Sequence, residues 1–245
     1  MKYSKRKKRY SKLRLATLIF AAVILVLSLV LIILACMGVF DRSKPLTDGL
    51  YQHLAVEQEH FEALGQGLEL LGVGRFSGLY VEDGSMDTVN DVLMIQIKNN
   101  GDQDLRLARL TLTYSDGDAE FEITNLPAGK TAVVLEKKRR DYADERHLSV
   151  KLTDVVKFDD NMDVFSDRYE ITGLNGALNA KNISASNIDG DVYVYYKYIS
   201  GDMLYGGITF RAKIIGGIKA GELKQISAGH FNPENCIILA VTSEG

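Results

Sequence analysis

A run of oxygen-bearing side chains in the middle of the chain has the spacing of a calcium-binding loop. The stretch Asp159–Glu170 reads DDNMDVFSDRYE, with oxygen ligands at places one, three, five, nine and twelve. An EF-hand loop takes ligands from these places. Its sixth place needs Gly for a sharp turn, but here holds Val164. We therefore weigh a solvated acidic hinge against an irregular calcium site. The candidate ligands are Asp159, Asn161, Asp163, Asp167 and Glu170.

A second candidate site is the tyrosine-rich stretch DVYVYYKYISGDMLY, which begins at Asp191. Because side chains alternate between the two faces of a strand, one pair of tyrosines should face the core and the other pair solvent. Aromatic pairing across strands is the simpler explanation of the stretch. The alternative is a surface patch on which a partner stacks. The two pairs are Tyr193 with Tyr195 and Tyr196 with Tyr198.

Residues with the spacing of a known catalytic centre do not occur in the sequence. It has no GxSxG nucleophile elbow. Cys236 lies in the apolar run ENCIILAV, and apolar surroundings raise the pKa of a thiol rather than lower it. The glycines of LGVGRFSG suggest a dinucleotide loop, but no helix fits between Gly78 and Glu82. We therefore expect a protein that is not an enzyme and has no cofactor apart from the calcium considered above.

The N-terminal segment predicts where these candidate sites are displayed. Eight Lys and Arg lie between Lys2 and Arg14 without an acidic residue, and an uncharged run of 26 residues follows from Leu15 to Phe40. As a helix this run rises about 39 Å, enough to cross a hydrocarbon core of about 30 Å. A basic flank stays on the cytoplasmic side. We predict a single-pass protein of the cell membrane whose C-terminal domain is extracytoplasmic.

Two other interpretations of the apolar segment remain open. A cleaved secretory signal has a shorter apolar core, and Ala35-Cys36-Met37-Gly38 matches its cleavage site poorly. A bacterial lipoprotein would carry lipid on Cys36, because Ile33-Leu34-Ala35-Cys36 loosely matches the acylation motif. Leu34 is larger than the residue usual at its place, and the preceding apolar core is too long. An uncleaved signal anchor fits the segment best.

The charge of the part beyond the span disfavours one class of partner. Without the basic tail, 21 basic residues stand against 32 acidic ones, a net charge of −11. Such a surface repels nucleic acid and other polyanions. We therefore expect no nucleic-acid partner. The expected partners are the membrane and a protein outside the cytoplasm.

Beyond Leu68 the hydrophobic pattern has a period of two, which is typical of β-strands. Turn residues follow the strand candidates at Asn99-Asn100-Gly101-Asp102 and at Asp116-Gly117. Leu126-Pro127-Ala128-Gly129-Lys130 is matched by Ile218-Lys219-Ala220-Gly221-Glu222, 92 residues later. Each copy lies between two strand candidates. Two copies predict a tandem of domains rather than a solenoid.

One strand candidate, LRLARLTLTY, changes phase along its length. Leu105 and Leu107 share one face, whereas Ala108, Leu110 and Leu112 share the other. This slip predicts a β-bulge or a bend near Leu107–Ala108.

The turn motifs resemble those of small bacterial extracytoplasmic domains. A strand ending at Ile97–Gly101, another ending at Tyr114–Gly117 and the turn at Leu126–Gly129 are similar to CARDB-like and FxLYD-like domains. Asn182–Gly221 carries a weaker copy of the pattern. The resemblance implies an immunoglobulin-like fold with a role in adhesion, assembly or spacing, and it implies no active-site residues.

The predicted fold is all-β, with two tandem antiparallel immunoglobulin-like β-sandwiches behind one transmembrane helix. In the spacer, Leu50, Leu54, Phe61 and Leu64 could lie on one helical face, so the spacing predicts a partial helix there. The predicted function is a non-catalytic, membrane-anchored interaction or assembly module outside the cytoplasm. A ligand-binding lipoprotein acylated at Cys36 ranks second, and a hydrolase with an unrecognised site ranks third. The predicted segments are a basic tail (1–14), a signal anchor (15–40), a spacer (41–67), a first sandwich (68–158), an acidic hinge (159–167) and a second sandwich (168–245).

Overall fold

The computed structural model describes residues 51–244. The predicted tail, anchor and first part of the spacer lie outside this range. Within it the chain forms thirteen β-strands, so the all-β prediction is confirmed for these residues. No helix among residues 51–244 is long and apolar enough to span a membrane. The strands are β1 (Tyr51–Gly65), β2 (Leu68–Tyr80), β3 (Asp87–Asn99), β4 (Leu105–Tyr114), β5 (Gly117–Leu126), β6 (Thr131–Leu135), β7 (Ser149–Lys157), β8 (Tyr169–Leu174), β9 (Ala177–Asn182), β10 (Asp191–Ser200), β11 (Met203–Ile214), β12 (Leu223–Ser227) and β13 (Cys236–Glu244).

One large sheet contains strands from both halves of the chain. Its seven strands have the order β1-β2-β3-β6-β11-β10-β13, and two smaller sheets have the orders β5-β4-β7 and β12-β9-β8. Neighbouring strands are antiparallel except β6 and β11, which pair in parallel through Leu204↔Ala132 and Tyr205↔Val133. Strands that precede and follow the acidic segment (residues 158–167) therefore share a sheet.

The large sheet buries both of its faces along the central strands. In β3, Leu93, Ile95 and Ile97 belong to one hydrophobic core, which includes residues of β4 and β5. Val92 and Met94 belong to the other core, which includes residues of β8 and β9. Alternate residues of a strand point to opposite faces, so the two small sheets cover opposite faces of the large one. This explains the continuous apolar runs VLMI and AVVL, since strands covered on both faces need no polar alternation.

The first described strand corrects the partly helical interpretation of the spacer. Tyr51–Gly65 is β1, which pairs antiparallel with β2 over most of its length. Leu54 and Val56 pack against one core and Leu64 against the other. A short polar helix is only marginally stable by itself, whereas pairing with the apolar strand β2 supplies both backbone hydrogen bonds and burial. The helical interpretation is therefore wrong for these residues.

The predicted irregularity in the strand LRLARLTLTY is confirmed. Pairing between β4 and β7 shifts register between Leu105 and Leu107 and again between Ala108 and Leu110. A bulge of this kind lets both phases of the strand contribute apolar side chains to one core. Leu105, Ala108 and Leu110 are accordingly all buried in the same cluster.

A buried Asn side chain organises the turn that joins β3 to β4. Asn99 Nδ2 donates to Gln103 O at 3.0 Å and to Leu126 O at 3.1 Å. Asn99 Oδ1 accepts from Gly101 N at 3.0 Å. The main-chain carbonyl of Asn99 accepts from Gly129 N at 2.7 Å. One residue thus ties the turn after β3 to the Leu126–Gly129 turn.

The same arrangement recurs after β9. Asn182 Nδ2 donates to Ser186 O at 2.7 Å and to Ile218 O at 3.0 Å. Asn182 Oδ1 accepts from Ser184 N at 2.9 Å, and its carbonyl accepts from Gly221 N at 2.9 Å. The two turns that match in sequence are therefore held by equivalent hydrogen bonds.

Asn99→Ala should lower the free energy of unfolding by about 2–3 kcal/mol, because it removes the donor to the buried Leu126 carbonyl and to the Gln103 carbonyl. Urea unfolding of the full-length protein in detergent micelles measures the change. Asn100→Ala is the matched control, since the side chain of Asn100 makes a solvent-exposed hydrogen bond to Glu69. Equal losses in the two variants would contradict the role given to Asn99.

Candidate functional site

The acidic segment is fixed to the sheets by a buried carboxylate. Asp104 is buried, and its Oδ2 accepts from Met162 N at 2.7 Å. Asp104 N donates in turn to Asn161 Oδ1 at 2.9 Å. Further along, Asp163 O accepts from Val241 N at 2.9 Å. The segment therefore lies across β13, the last strand of the large sheet.

The predicted calcium ligands are engaged in several different contacts. Asp167 Oδ2 lies 4.0 Å from Arg168 Nε, and Glu170 Oε2 lies 3.6 Å from Lys181 Nζ. Asp159 is exposed. Among residues 51–244 no group of three or more His, Cys, Asp and Glu is arranged to hold a metal ion. Calcium binding by this segment stays a prediction.

One of the two tyrosine pairs lies in the hydrophobic core. Tyr196 is 2% exposed and Tyr198 is 0% exposed. Burial raises the pKa of Tyr196 to about 12. The Tyr198 hydroxyl donates to His230 O at 2.6 Å, and the ring of Phe231 meets that of Tyr196 edge to face. These two side chains stabilise the fold.

The other pair points to the opposite face of β10. Tyr193 is buried beneath two cations, with Arg211 Cζ 4.7 Å and Lys213 Nζ 5.3 Å from its ring centroid. Tyr195 is half-buried, and its side chain lines a cleft. Of the four candidate tyrosines, Tyr195 is therefore the one whose side chain is partly accessible from the cleft.

The acidic segment and Tyr195 line the same cleft, which has a volume of about 530 Å³. One wall is the segment itself, another is formed by β10 and β13, and β4 and β5 contribute one residue each. Sequence reasoning identified these two features separately but gave no sign that they meet. The lining residues are Arg106, Asn125, Phe158, Asp160, Asn161, Met162, Asp163, Phe165, Tyr195, Ala240, Val241, Thr242 and Glu244.

The backbone presents one aromatic ring of the cleft in an unusual conformation. Phe165 has a φ of 47°, in the left-handed region that aromatic residues rarely occupy. Its N–H donates to Asp163 Oδ1 at 2.8 Å, which closes an Asx turn that tolerates this conformation. The ring is left 37% exposed. Such a conformation in a bonded turn is a reason to look for function at the residue.

A buried acidic residue, which the sequence did not predict, lies where β6 and β11 meet. The carboxylate of Glu82 accepts from the N–H groups of Leu135 and Gly207 at 2.9 Å and from that of Ile208 at 3.3 Å. Glu82 as a residue is half-buried, but its carboxylate lies among these main-chain groups. Burial raises its pKa, and the hydrogen bonds to Gly207 and Leu135 partly oppose that rise. The side chain completes the bonding where the short parallel ladder ends.

A buried lysine lies on the other side of the same backbone. Lys197 is 0% exposed, and its Nζ donates to the carbonyls of residues 206–208 at 2.7–2.9 Å. Burial lowers its pKa to about 7, and the Glu82 carboxylate partly opposes the decrease. Lys197 is the one charged residue within the apolar run VYVYYKYI. That placement is the signal from which a buried role could have been predicted.

Comparison of the chain with models of protein families, with curated proteins and with solved structures gives no match. The likeness to CARDB-like and FxLYD-like domains therefore rests on the turn motifs alone.

Proposed function

We propose that this protein is a non-catalytic interaction or assembly module, anchored in the membrane by Leu15–Phe40, that holds a protein partner outside the cytoplasm. The observation that supports this most directly is the cleft of about 530 Å³, a size common among binding pockets. It combines half-buried aromatic and apolar side chains with a few charged groups, which is the usual composition of a recognition surface.

The remaining buried carboxylates support a scaffold role for the rest of the molecule. Glu136 Oε2 accepts from Lys138 N at 2.7 Å and from Arg140 N at 2.9 Å. Asp104 likewise bonds the main chain of Met162. Polar groups that are satisfied by the backbone fix loops in place. Asp104 thus fixes the side of the cleft that contains Met162, and Glu136 fixes the loop that follows β6.

We further propose that the two halves of the chain are tandem immunoglobulin-like sandwiches. The support is the pair of equivalent turns around Asn99 and Asn182, each joined to its matching glycine turn. In this arrangement the acidic segment is the connection between the two sandwiches, and the cleft lies beside it.

Site-specific photo-crosslinking tests the proposed function. A benzoylphenylalanine in place of Thr242, an exposed residue of the cleft, should give a discrete covalent adduct with a partner protein in membranes of the host cell. The control places the same group at Leu223, which is 57% exposed on β12. Adducts from Leu223 but not from Thr242, or from neither position, would refute binding through the cleft.

A further inference from the structure

We propose that the cleft binds a Lys or Arg side chain carried by an extended segment of the partner. This inference rests on the proposed function and adds the chemistry of the ligand. Three features of the molecule support it: the charges of the cleft, its aromatic rings and the strand edge beside it.

The charges that line the cleft favour a cation. Three carboxylates, those of Asp160, Asp163 and Glu244, stand against the single guanidinium of Arg106. All four residues are exposed. A concave surface with an excess of negative or positive charge concentrates ligands of the opposite charge. Charge complementarity contributes more to specificity for a partner than to affinity.

The aromatic rings of the cleft supply a second source of attraction for a cation. The guanidinium of Arg168 already lies 5.6 Å from the centroid of the Phe165 ring. On the same face of β10 as Tyr195, Tyr193 holds two cations over its ring. A cation within about 6 Å of an aromatic face gains about 0.5–1 kcal/mol at an exposed site. The half-buried Tyr195 offers this contact to a side chain that comes from outside.

The strand beside the cleft favours an extended ligand. β13 ends the strand order of the large sheet, and Val241, Thr242 and Glu244 of this strand line the cleft. On its outer side, Val241 N already donates to the carbonyl of Asp163. The edge of β13 thus already bonds the main chain of the acidic segment at one point. Main-chain bonding along an edge, combined with a pocket for a side chain, is a common mode of peptide recognition.

The test uses full-length protein in nonionic detergent and three fluorescein-labelled nonapeptides of alternating sequence. In these peptides threonine alternates with lysine in the first, with glutamine in the second and with glutamate in the third. We expect fluorescence anisotropy to show binding of the lysine peptide, about tenfold weaker binding of the glutamine peptide, and no binding of the glutamate peptide. Asp160→Asn combined with Asp163→Asn should weaken lysine-peptide binding about tenfold, and Tyr195→Leu should also weaken it.

The matched control is Asp118→Asn combined with Asp202→Asn, which removes the same charge from two exposed positions, one at the start of β5 and one in the turn between β10 and β11, and should leave affinity unchanged. Thermal unfolding verifies that each variant is folded. An equal loss of affinity in the control, equal binding of the lysine and glutamine peptides, or no binding of the lysine peptide would overturn the inference. If the crosslink from Thr242 persists when Asp160→Asn and Asp163→Asn are combined, the proposed interaction function is retained and the proposed cation site is refuted. If the protein with both aspartates intact gives no crosslink from Thr242, the proposed function itself is refuted.

Discussion

Gly207→Ala should lower the free energy of unfolding by at least about 3 kcal/mol, near the upper end of the losses that overpacking causes. A Cβ on Gly207 would lie 1.9 Å from Glu122 O and 2.9 Å from Val134 Cγ1. The nearer atom belongs to the backbone of β5, which cannot rotate away as a side chain can. Accommodating the methyl group requires β5 and β11 to separate, and that would break the bond from Thr124 Oγ1 to Gly207 O.

Urea unfolding of full-length protein in detergent micelles measures the loss caused by Gly207→Ala. Gly229→Ala is the matched control, because a Cβ there has no neighbour within 4 Å. Its effect should stay within about 0.5 kcal/mol. A small effect at Gly207, or similar effects at both glycines, would show that the close approach of β5 to β11 is not required for stability.

Lys197→Met should cost about 3–5 kcal/mol, the loss expected when one member of a buried pair of charges is removed. Methionine fills similar space but leaves three carbonyls of β11 without their donor. It also leaves the buried Glu82 carboxylate without its nearby cation. The free energy of unfolding of the single variant measures the loss, and Lys213→Met is the control. Lys213 is exposed and pairs with Asp191 at 2.6 Å, so its loss should be below about 1 kcal/mol.

Combining Lys197→Met with Glu82→Gln tests whether the two charges depend on each other. The double variant should lose less stability than the sum of the single losses, with a coupling of about 1–3 kcal/mol. The reason is that neutral glutamine no longer needs the cation. Additive losses would mean that each residue serves only its own backbone contacts.

The same lysine should make stability depend on pH. Because the folded-state pKa of Lys197 is about 7 and its ordinary value is 10.5, the unfolded chain binds more protons between these values. The contribution of Lys197 to the free energy of unfolding is therefore constant below about pH 7 and increases between about pH 7 and pH 10. The difference in unfolding free energy between the parent protein and Lys197→Met should therefore increase between pH 7 and pH 9. A difference that shrinks over this range would contradict the lowered pKa.

Local features of the fold could be predicted from the sequence because they depend on neighbouring residues. The period of two identified the strands, and the phase change in LRLARLTLTY located the irregularity of β4. Asn99 and Gly101 marked a turn through their conformational preferences. β1 was misread because its apolar residues have helical spacing, and only pairing with β2 decides the outcome. Neither the sequence of β1 nor that of β2, taken alone, shows that the two strands pair with each other.

The site required information that no single segment carries. Asp163 and Tyr195 line one cleft because Asp104, far earlier in the chain, bonds Met162 and fixes the path of the acidic segment. Alternation along β10 separated the tyrosines into two pairs, but it did not tell which pair is buried. That depends on which face the small sheet β12-β9-β8 covers.

The short parallel pairing of β6 with β11 has a mechanical consequence. A pull between β1, at one edge of the large sheet, and β13, at the other, is transmitted across every strand. The load crosses the β6–β11 seam through only two residue pairs of backbone ladder. Glu82 and Lys197 bind the main chain at the end of this seam. These two charges therefore add side-chain hydrogen bonds at the shortest backbone ladder of the large sheet.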